Sequence, residues 1–281
     1  RHFGERAEMD KNFSVLMSVY AKEKPEYLGE SLDSLLCQTV RPAEIVIVKD
    51  GPLTEELDAL IASYVEKEPS LYTIVPLPEN RGLGLALREG MLHLRYELVA
   101  RMDSDDICRP DRFEKQLAAF ATDPALDVVG SYTSEFEDTP DKIVSHRTVP
   151  VDDAEIKRYQ KRRDAFNHPS VMFKKSAVLK AGNYQHCPLM EDTLLWVHMI
   201  QAGAKCANIP EDLLYMRIGK GMYERRGGYA YYKKYKAARK QIRDTGYISW
   251  FDYISSLFAQ FVVAMMPNKL RGFVFKKILH K

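Results

Sequence analysis

Short apolar runs alternate with helical patterns through the first hundred residues, and this alternation constrains the fold more than any other feature of the chain. The apolar runs predict strands at residues 13–20, 44–48, 72–76 and 98–102. Apolar residues recur at helical spacing over 27–38, 55–67 and 83–94, which predicts a helix after each of the first three strands. Strands and helices in this order build a mostly parallel sheet covered on both faces, so the predicted fold class is α/β.

The second part of the chain is less regular. It predicts helices at 112–120, 175–181 and 192–202, the last ending at Gly203, and strands at 128–132 and 170–173. Residues 229–243 are rich in Tyr and Lys and are predicted to be helical, whereas 250–266 are aromatic and apolar. With 281 residues, 46% of them apolar, the chain can form one large domain and an appendage.

Charge is concentrated at the C-terminal end. Residues 219–281 carry 14 Lys or Arg against 3 Asp or Glu, although the net charge of the whole chain is only +2. A basic tail on an acidic body predicts an anionic partner. In 268–281 the basic residues are interleaved with apolar ones, as in an interfacial amphipathic helix, and the sequence contains no nucleic-acid-binding motif. We therefore expect a membrane surface, and no nucleic acid, as the partner of this tail.

Two features bear on the compartment. The four cysteines are scattered and form no C-x-x-C pair, which favours reduced thiols in the cytoplasm over a disulfide framework or a zinc site. The charged segment 1–11 has no apolar core, so it is not predicted to be a signal peptide. The aromatic and apolar stretch near the C-terminus is shorter than the ~20 apolar residues that span a bilayer.

Polar residues follow three of the predicted strands where each strand ends. Ser18 and Tyr20 end the first strand, Asp50 follows the second, and residues 103–106 (DSDD) follow the fourth. Because ligands of open α/β sheets bind outside the carboxyl ends of the strands, these residues predict a binding site. Asp50 is suited to a ring nitrogen of a nucleotide base, although an ordinary turn explains it equally well.

Asp103 and Asp105 are the sharpest candidates for a metal site. Two carboxylates at positions i and i+2 after an apolar strand can converge on Mg²⁺ or Mn²⁺, and a diphosphate would complete the shell. The alternative is a solvated acidic turn.

A second acidic pair, Glu191 and Asp192, opens a predicted helix. Asp192 is a candidate general base for an acceptor hydroxyl, but acidic residues also suit a helix N-terminus for structural reasons alone. His168 is a candidate contact on the acceptor side or a structural histidine. Arg225 and Arg226 lie in a Gly-rich basic segment that predicts either a loop closing over a diphosphate or a solvated charge run.

These motifs, in this order, resemble the family 2 glycosyltransferases with the GT-A fold, a Rossmann-like fold, and among them the bacterial enzymes of surface polysaccharide assembly. The resemblance extends from about residue 13 to about residue 228. It is carried by four segments: SVLMSVY at 14–20, EIVIVKDG at 44–51, NRGLG at 80–84, and RMDSDDICRPDRFEKQ at 101–116, followed at a distance by Glu191 and Asp192.

The resemblance implies a catalytic domain over 10–218, with a nucleotide-sugar half at about 10–110 and an acceptor half at about 111–218. Residues 219–281 would then form a basic loop and a helical tail that docks on the membrane. The implied reaction moves a sugar from a nucleotide sugar, with UDP favoured, to a hydroxyl of a lipid-linked saccharide. Such an enzyme would be cytoplasmic and peripherally associated with the inner leaflet of the inner membrane.

The resemblance also implies roles for single residues. The nucleotide-binding residues would be Ser18, Tyr20, Asp50, Arg88, Asp103 and Ser104. Asp103 and Asp105 would hold Mn²⁺ or Mg²⁺. Asp192 would be the base, so that the reaction inverts the anomeric centre. Glu191, His168, Arg225 and Arg226 would serve the acceptor or the loop.

The chain departs from the family pattern at two places. Leu87 and Arg88 stand where the family often has an Arg-Asn pair, and residues 216–219 (MRIG) lack the histidine that many relatives carry there. Arg217, Arg225 and Arg226 are candidates for the missing positive charge.

Two other classes of protein remain possible from the residues alone. The Asp103-Ser104-Asp105 segment also resembles the nucleophile motif of haloacid-dehalogenase-like phosphatases, although that motif usually lies near the N-terminus. The basic tail alone is compatible with a non-catalytic membrane-binding module. A dinucleotide-binding dehydrogenase is disfavoured, because RGLG at 81–84 is not G-x-G-x-x-G and follows the third strand.

Overall fold

The computed structural model describes residues 12–219, 227–267 and 270–271. Its strands are β1 (Phe13–Val19), β2 (Glu44–Lys49), β3 (Tyr72–Pro76), β4 (Leu98–Asp103), β5 (Ile107–Cys108), β6 (Val128–Phe136), β7 (Ile143–Arg147), β8 (Met172–Lys174) and β9 (Cys206–Arg217). Its helices are α1 (Pro25–Leu36), α2 (Glu55–Lys67), α3 (Leu83–Gly90), α4 (Arg112–Thr122), α5 (Asp153–Tyr159), α6 (Lys175–Lys180), α7 (Glu191–Gln201), α8 (Gly228–Asp244) and α9 (Trp250–Met265). A short 3-10 helix spans His168–Ser170.

All nine strands belong to one sheet, in the order β3-β2-β1-β4-β8-β6-β9-β5, with β7 beside β6. The strands β3, β2, β1 and β4 are parallel, as the alternating pattern predicts. Beyond β4 the sheet is mixed: β8 is antiparallel to β4 and β6, whereas β9 is parallel to β6. β7 is antiparallel to β6 because a short connection, and not a crossover helix, joins the two strands. The predicted α/β class is confirmed.

Helices cover both faces of the sheet. In β1 alternate side chains point to opposite faces, so Phe13, Val15 and Met17 join the core beneath α1, α2 and α4. Leu16 joins the second core, which includes Leu87 of α3 and Trp196 of α7. The two apolar layers fix β1 and β4 in the centre of the molecule, and they hold the carboxyl ends of these strands side by side.

Local signals set several of the helix ends. Pro25 occupies the first turn of α1, and the Thr54 hydroxyl accepts a hydrogen bond from the Leu57 amide (3.3 Å) to cap α2. After the C-terminal end of α7, Gly203 has φ +92°, a left-handed conformation that favours glycine after a helix. This confirms the predicted helix stop.

Some elements were not predicted, namely β5, β7, β9 and α5, and α3 ends at Gly90 and not at residue 94. In β9 the segment 210–212 (PED) interrupts the apolar alternation, and its pairing with β6 shifts register at Tyr132. In β7 both Ile143 and Val144 are exposed, so no buried face imposes a period of two.

The two C-terminal helices pack against the body formed by the sheet and helices α1 to α7. Leu194 and Val197 of α7 share a small core with Ala238 and Ile242 of α8 and Leu257 of α9. Residues 268–269 and 272–281, which include most of the predicted amphipathic helix, lie outside the described residues. Among the helices that the structure describes, none combines the length and the apolar character needed to cross a membrane.

Candidate active site

The carboxyl ends of β1, β2 and β4 bring the predicted nucleotide-binding residues to one edge of the sheet. Ser18 is the register partner of Asp103, and the Asp50 amide donates a hydrogen bond to the Val19 carbonyl (2.8 Å). Tyr20 follows directly and is exposed. The structure therefore gathers Ser18, Tyr20, Asp50 and Asp103 at one edge of the sheet.

Asp50 organises the loop that leads into α3. Its Oδ1 accepts a hydrogen bond from the Arg81 amide (2.7 Å) and its Oδ2 accepts one from the Gly82 amide (3.1 Å). The Asn80 side chain also donates to the Asp50 carbonyl (3.1 Å). The NRGLG segment is thus tied to the end of β2, and each Asp50 oxygen keeps a second lone pair for a ligand.

Arg88 lies on the exposed side of α3, in its last turn. Its carbonyl accepts a hydrogen bond from the Asn183 side chain (3.1 Å). Within the described residues no hydrogen bond or ion pair joins its guanidinium to the edge that carries Asp50 and Asp103.

Three carboxylates converge after β4. One oxygen each from Asp103, Asp105 and Asp106 lies within 4.8 Å of the others. Burial, together with the neighbouring charges of Asp103 and Glu23, raises the pKa of Asp105 to about 7. Burial and the charge of Asp105 raise the pKa of Asp106 well above its usual range, and its Oδ2 is buried without a partner among the described residues. A group of oxygen ligands with this much unbalanced negative charge fits a hard divalent cation.

Two arginines support the acidic segment. Arg101 is fully buried, and its guanidinium pairs with Asp103 (2.5 Å). Arg217, at the end of β9, donates from its amide to Asp106 (2.8 Å) and from Nε to the Asp105 carbonyl (3.0 Å). Its guanidinium also pairs with Glu30.

Arg217 stands near the position where relatives often have a histidine. Its guanidinium lies 3.9 Å from the ring centroid of Tyr27 and 4.6 Å from that of Phe136. These contacts, with those to Glu30 and Asp105, hold the guanidinium against the acidic loop.

The Ser104 hydroxyl is buried and donates to the carboxylate of Glu23, in the loop after β1. Sequence analysis did not single out Glu23. The available signal was its position after the first strand, at the same edge as Asp105.

The second acidic pair opens α7. Asp192 is the second residue of this helix, and Met190 occupies the N-cap position. The Asp192 carboxylate accepts a hydrogen bond from the Thr193 amide (2.8 Å), and about a fifth (21%) of the side chain is exposed. Burial raises the pKa of Asp192 to about 8, with further contributions from the charges of Asp164 and Glu191. A carboxyl group with a raised pKa is suited to proton exchange near neutral pH.

Asp164 was also missed by sequence analysis. Its carboxylate accepts a hydrogen bond from the Thr193 hydroxyl, which places it beside the first turn of α7. No motif marks this residue in the sequence, because it lies in an irregular segment after α5.

His168 lies behind Asp192. Its Nε2 is 2.9 Å from the Tyr184 hydroxyl and its Nδ1 is 3.9 Å from Asp192 Oδ2. Burial and the charge of Arg101 lower the pKa of His168 well below its usual value, so the ring is neutral. The structure thus brings His168 and Asp192 together, as expected for one site. Arg225 and Arg226 fall in 220–226, outside the described residues.

Glu191 connects the start of α7 to the donor side of the site. The pKa of Glu191 is raised mainly by burial, and the charges of Arg101 and Asp103 act on it in opposite directions. A Cβ atom at Gly84, in the first turn of α3, would lie 2.8 Å from Cβ of Glu191. The helix that follows the Asp50 loop therefore packs directly on the start of α7, and the charge of Asp103 acts on the carboxyl group of Glu191.

This fold is found in glycosyltransferases of the GT-A class. The mannosyltransferase PcManGT from Pyrobaculum calidifontis, in complex with GDP-Man and Mn²⁺, superimposes with a TM-score of 0.62 at 18% identity. The similarity covers 92% of this chain and 71% of that one. The shared feature is a Rossmann-like mixed sheet flanked by helices.

The sequence comparison identifies the family. Residues 14–181 match the model of glycosyl transferase family 2. The amylovoran biosynthesis glycosyltransferase AmsE of Erwinia amylovora is 38% identical, over 94% of this chain and 98% of its own. The UDP-Gal:alpha-D-GlcNAc-diphosphoundecaprenol beta-1,3-galactosyltransferase of Escherichia coli is 35% identical, over 96% of this chain and 97% of its own. This chain belongs to glycosyl transferase family 2.

Proposed function

We propose that this glycosyltransferase moves a sugar from a UDP-sugar to a hydroxyl group of a lipid-linked saccharide, with inversion, during assembly of a bacterial polysaccharide. The observation that carries the proposal is the presence of two separate acidic groups, the three converging carboxylates after β4 and the pair Glu191 and Asp192 at the start of α7, where Glu191 packs on α3. The first group is suited to a divalent cation that binds the donor diphosphate, and Asp192, a carboxyl group with a raised pKa, is suited to the acceptor hydroxyl.

On the donor side, Ser18, Tyr20 and Asp50 would contact the base and ribose, and Ser104 and Arg88 are further candidates for the nucleotide. Asp103 and Asp105 would hold a divalent cation, Mn²⁺ or Mg²⁺, and the converging oxygens and unpartnered Asp106 carboxylate fit such an ion. When bound, the cation supplies counter-charge for a leaving diphosphate. Arg101 positions Asp103 through their buried ion pair.

On the acceptor side, Asp192 takes the proton of the attacking hydroxyl group. The hydroxyl oxygen forms a bond to the anomeric carbon as the bond from that carbon to the diphosphate oxygen breaks. The nucleoside diphosphate leaves with the bonding electron pair. Because a single base opposite the leaving group inverts the carbon, an α-linked donor would give a β-glycoside. A base with a pKa near the working pH is the most effective one, and burial gives Asp192 such a value.

Neighbouring residues orient these groups. The neutral His168 packs between Asp192 and Tyr184 without adding charge. Glu191, packed on Gly84, would orient the acceptor or the segment that contains Arg225 and Arg226.

The proposed acceptor and setting draw support from the relatives and from α9. The Escherichia coli relative is named for a UDP-sugar donor and a diphosphoundecaprenol-linked acceptor, and AmsE for amylovoran biosynthesis. One side of α9 exposes a stripe of large apolar side chains. These are Trp250, Phe251, Ile254, Phe258, Phe261, Val262 and Met265. We propose that this stripe docks on the cytoplasmic leaflet of the inner membrane, aided by the basic residues of 219–281.

The test is product formation. Purified protein with Mn²⁺ is incubated with a panel of UDP-sugars and N-acetylglucosaminyl diphosphate esters of a ten-carbon alcohol, and the anomeric configuration of any product is read by NMR. The proposal predicts a β-glycoside from an α-linked UDP-sugar. An α-glycoside would overturn inversion. Release of phosphate from simple esters without sugar transfer would favour the phosphatase alternative.

A further inference from the structure

A cleft of about 910 Å³ lies between the catalytic body and the C-terminal helices. One wall comes from the end of β7, the segment after α5 and the start of α7, and the other from α8 and α9. Asp192 and Thr193 line it, so the cleft opens directly onto the proposed base. The lining residues all fall in 147–193 and 227–263, and the described residues of the donor edge take no part in it.

The cleft is basic. Arg147, Arg163 and Lys234 line it, and the acidic residues of its lining are Asp164 and Asp192. Three arginines of the lining already have partners. Arg162 pairs with Asp252 (2.8 Å), Arg239 is buried with the Ser256 hydroxyl and the Lys161 carbonyl, and the Arg163 guanidinium lies 5.7 Å from the ring centroid of Tyr159. The lining thus carries more cationic than acidic side chains.

Arg147 and Lys234 have no ion-pair partner in the part of the chain that the structure describes. Lys234 is exposed on α8, and Arg147 ends β7 on the facing wall. Arg147 is also close enough to Asp192 to oppose the increase of its pKa. Arg147 and Lys234 thus place one cationic side chain on each wall, and Arg147 lies near the proposed base. This arrangement matches a ligand with two adjacent anionic groups that extends away from the reacting hydroxyl group.

The orientation of α9 shows where such a ligand would lead. Ser256, Ala259, Gln260 and Val263 face the cleft, at i, i+3, i+4 and i+7. At 3.6 residues per turn, Ile254, Phe258 and Met265 of the exposed apolar stripe lie on the opposite side of the helix. A helix is about 10 Å across, so a membrane touching the apolar stripe places the cleft about one helix diameter above the acyl chains, at the level of lipid head groups.

We infer that this cleft binds the diphosphate of the acceptor lipid, with Arg147 and Lys234 as its principal cationic contacts and Arg163 at its rim. The inference rests on the proposed function, because it assumes that the saccharide acceptor is carried on a lipid diphosphate. It assigns the substrate class by chemistry: a sugar next to Asp192, a diphosphate in the basic cleft, and an alkyl chain running past α9 into the membrane.

The test is calorimetric binding of two probes to the full chain: the N-acetylglucosaminyl α-diphosphate ester of decanol, and decyl N-acetylglucosaminide, which lacks the diphosphate. Wild type is compared with Arg147→Gln, Lys234→Gln and the matched control Lys236→Gln. Lys236 is an exposed lysine of α8 outside the cleft lining. UDP binding with Mn²⁺ is measured in every variant.

We expect Arg147→Gln and Lys234→Gln each to weaken binding of the diphosphate probe about tenfold, because each variant loses a charge-assisted hydrogen bond to the diphosphate. Binding of the decyl glycoside and of UDP should change less than twofold, and Lys236→Gln should behave as wild type.

Unchanged binding of the diphosphate probe in both cleft variants, with normal UDP binding, would overturn the inference and leave the glycosyltransferase proposal intact. An equal loss of affinity for the diphosphate probe in Lys236→Gln would mean that general charge attraction explains the effect, and it would also overturn the inference. Weakened UDP binding in the cleft variants would show that Arg147 and Lys234 contact the donor nucleotide, which would also overturn the inference. No UDP binding by wild type would instead count against the proposed function.

Discussion

His168 Nδ1 lies 3.9 Å from Asp192 Oδ2, and the neutral imidazole forms part of the wall behind this carboxylate. A neutral ring adds no positive charge beside Asp192, and burial raises the pKa of this carboxyl group to about 8. A carboxyl group in this setting is suited to the proposed role of proton acceptor.

Replacement of Asp192 by Asn should lower kcat about 10²- to 10⁴-fold, the range expected when a general base is removed. UDP binding should stay within a few-fold of wild type, because the donor is held at the other side of the site. Asp152→Asn is a matched control, since Asp152 is also an aspartate at the start of a helix, where it occupies the N-cap position of α5. Near-wild-type turnover in Asp192→Asn would mean that this carboxylate has only a structural role.

The same substitution should stabilise the protein at alkaline pH. The pKa of Asp192 is about 8 in the folded state and near 3.8 when unfolded, so the folded state holds an extra proton between about pH 4 and pH 8. The free energy of unfolding of wild type should therefore fall as pH rises through this range. In Asp192→Asn that fall should be smaller, and the variant should be more stable by about 1 kcal/mol or more at pH 8.5. Denaturant unfolding at pH 5.5 and 8.5 measures the difference.

Asp164 should set the pH dependence of the reaction. The base must be deprotonated, so kcat should increase with pH until about pH 8, the pKa of Asp192. The negative charge of Asp164 contributes to that pKa, and Asp164→Asn should move the acidic limb to lower pH. A pH–rate profile from 5.5 to 9.5 records the shift. An unmoved limb would show that Asp164 does not act on the catalytic base.

Gly84 should be required for the geometry between donor and acceptor. An alanine Cβ there would lie 2.8 Å from Cβ of Glu191, which is part of the rigid first turn of α7, so one of the two helices must move. We expect Gly84→Ala to lower kcat about 10- to 100-fold and to cost about 1–3 kcal/mol of stability. Gly29→Ala is the matched control, because its Cβ would meet only Leu60, at 4.0 Å. Equal activity in the two variants would show that the contact at Gly84 has no catalytic role.

Much of this site follows from the sequence, and the reason is the parallel half of the sheet. Once β1, β2 and β4 are recognised, their carboxyl ends must meet, which brings Ser18, Asp50 and Asp103 together. The remaining contacts depend on the mixed half of the sheet, where the strand pattern is broken. The position of Asp164 and the contact between Arg217 and the acidic loop depend on long-range packing, which no local sequence pattern predicts.

The apolar stripe of α9 should bind membranes. Ile254 and Phe258 are 55% and 69% exposed, so serine at both positions should leave the fold intact. We expect Ile254→Ser with Phe258→Ser to weaken cosedimentation with anionic vesicles about tenfold or more, since burying each side chain contributes up to ~1.5–3 kcal/mol. Leu92→Ser, at an exposed leucine of the catalytic body, is the control. Unchanged binding to vesicles would remove α9 from the docking surface.

We propose that the carboxylates after β4 bind a nucleoside diphosphate through a divalent cation, and titration of UDP into the protein is the decisive measurement. The titration is run with and without Mn²⁺ on wild type, on Asp105→Ala, and on Asp111→Ala, an acidic residue nearby that pairs with Lys115 outside the cluster. We expect Mn²⁺-dependent UDP binding in wild type and Asp111→Ala and its loss in Asp105→Ala. Equal, metal-independent binding in all three proteins, or no binding of UDP to wild type in either condition, would contradict it.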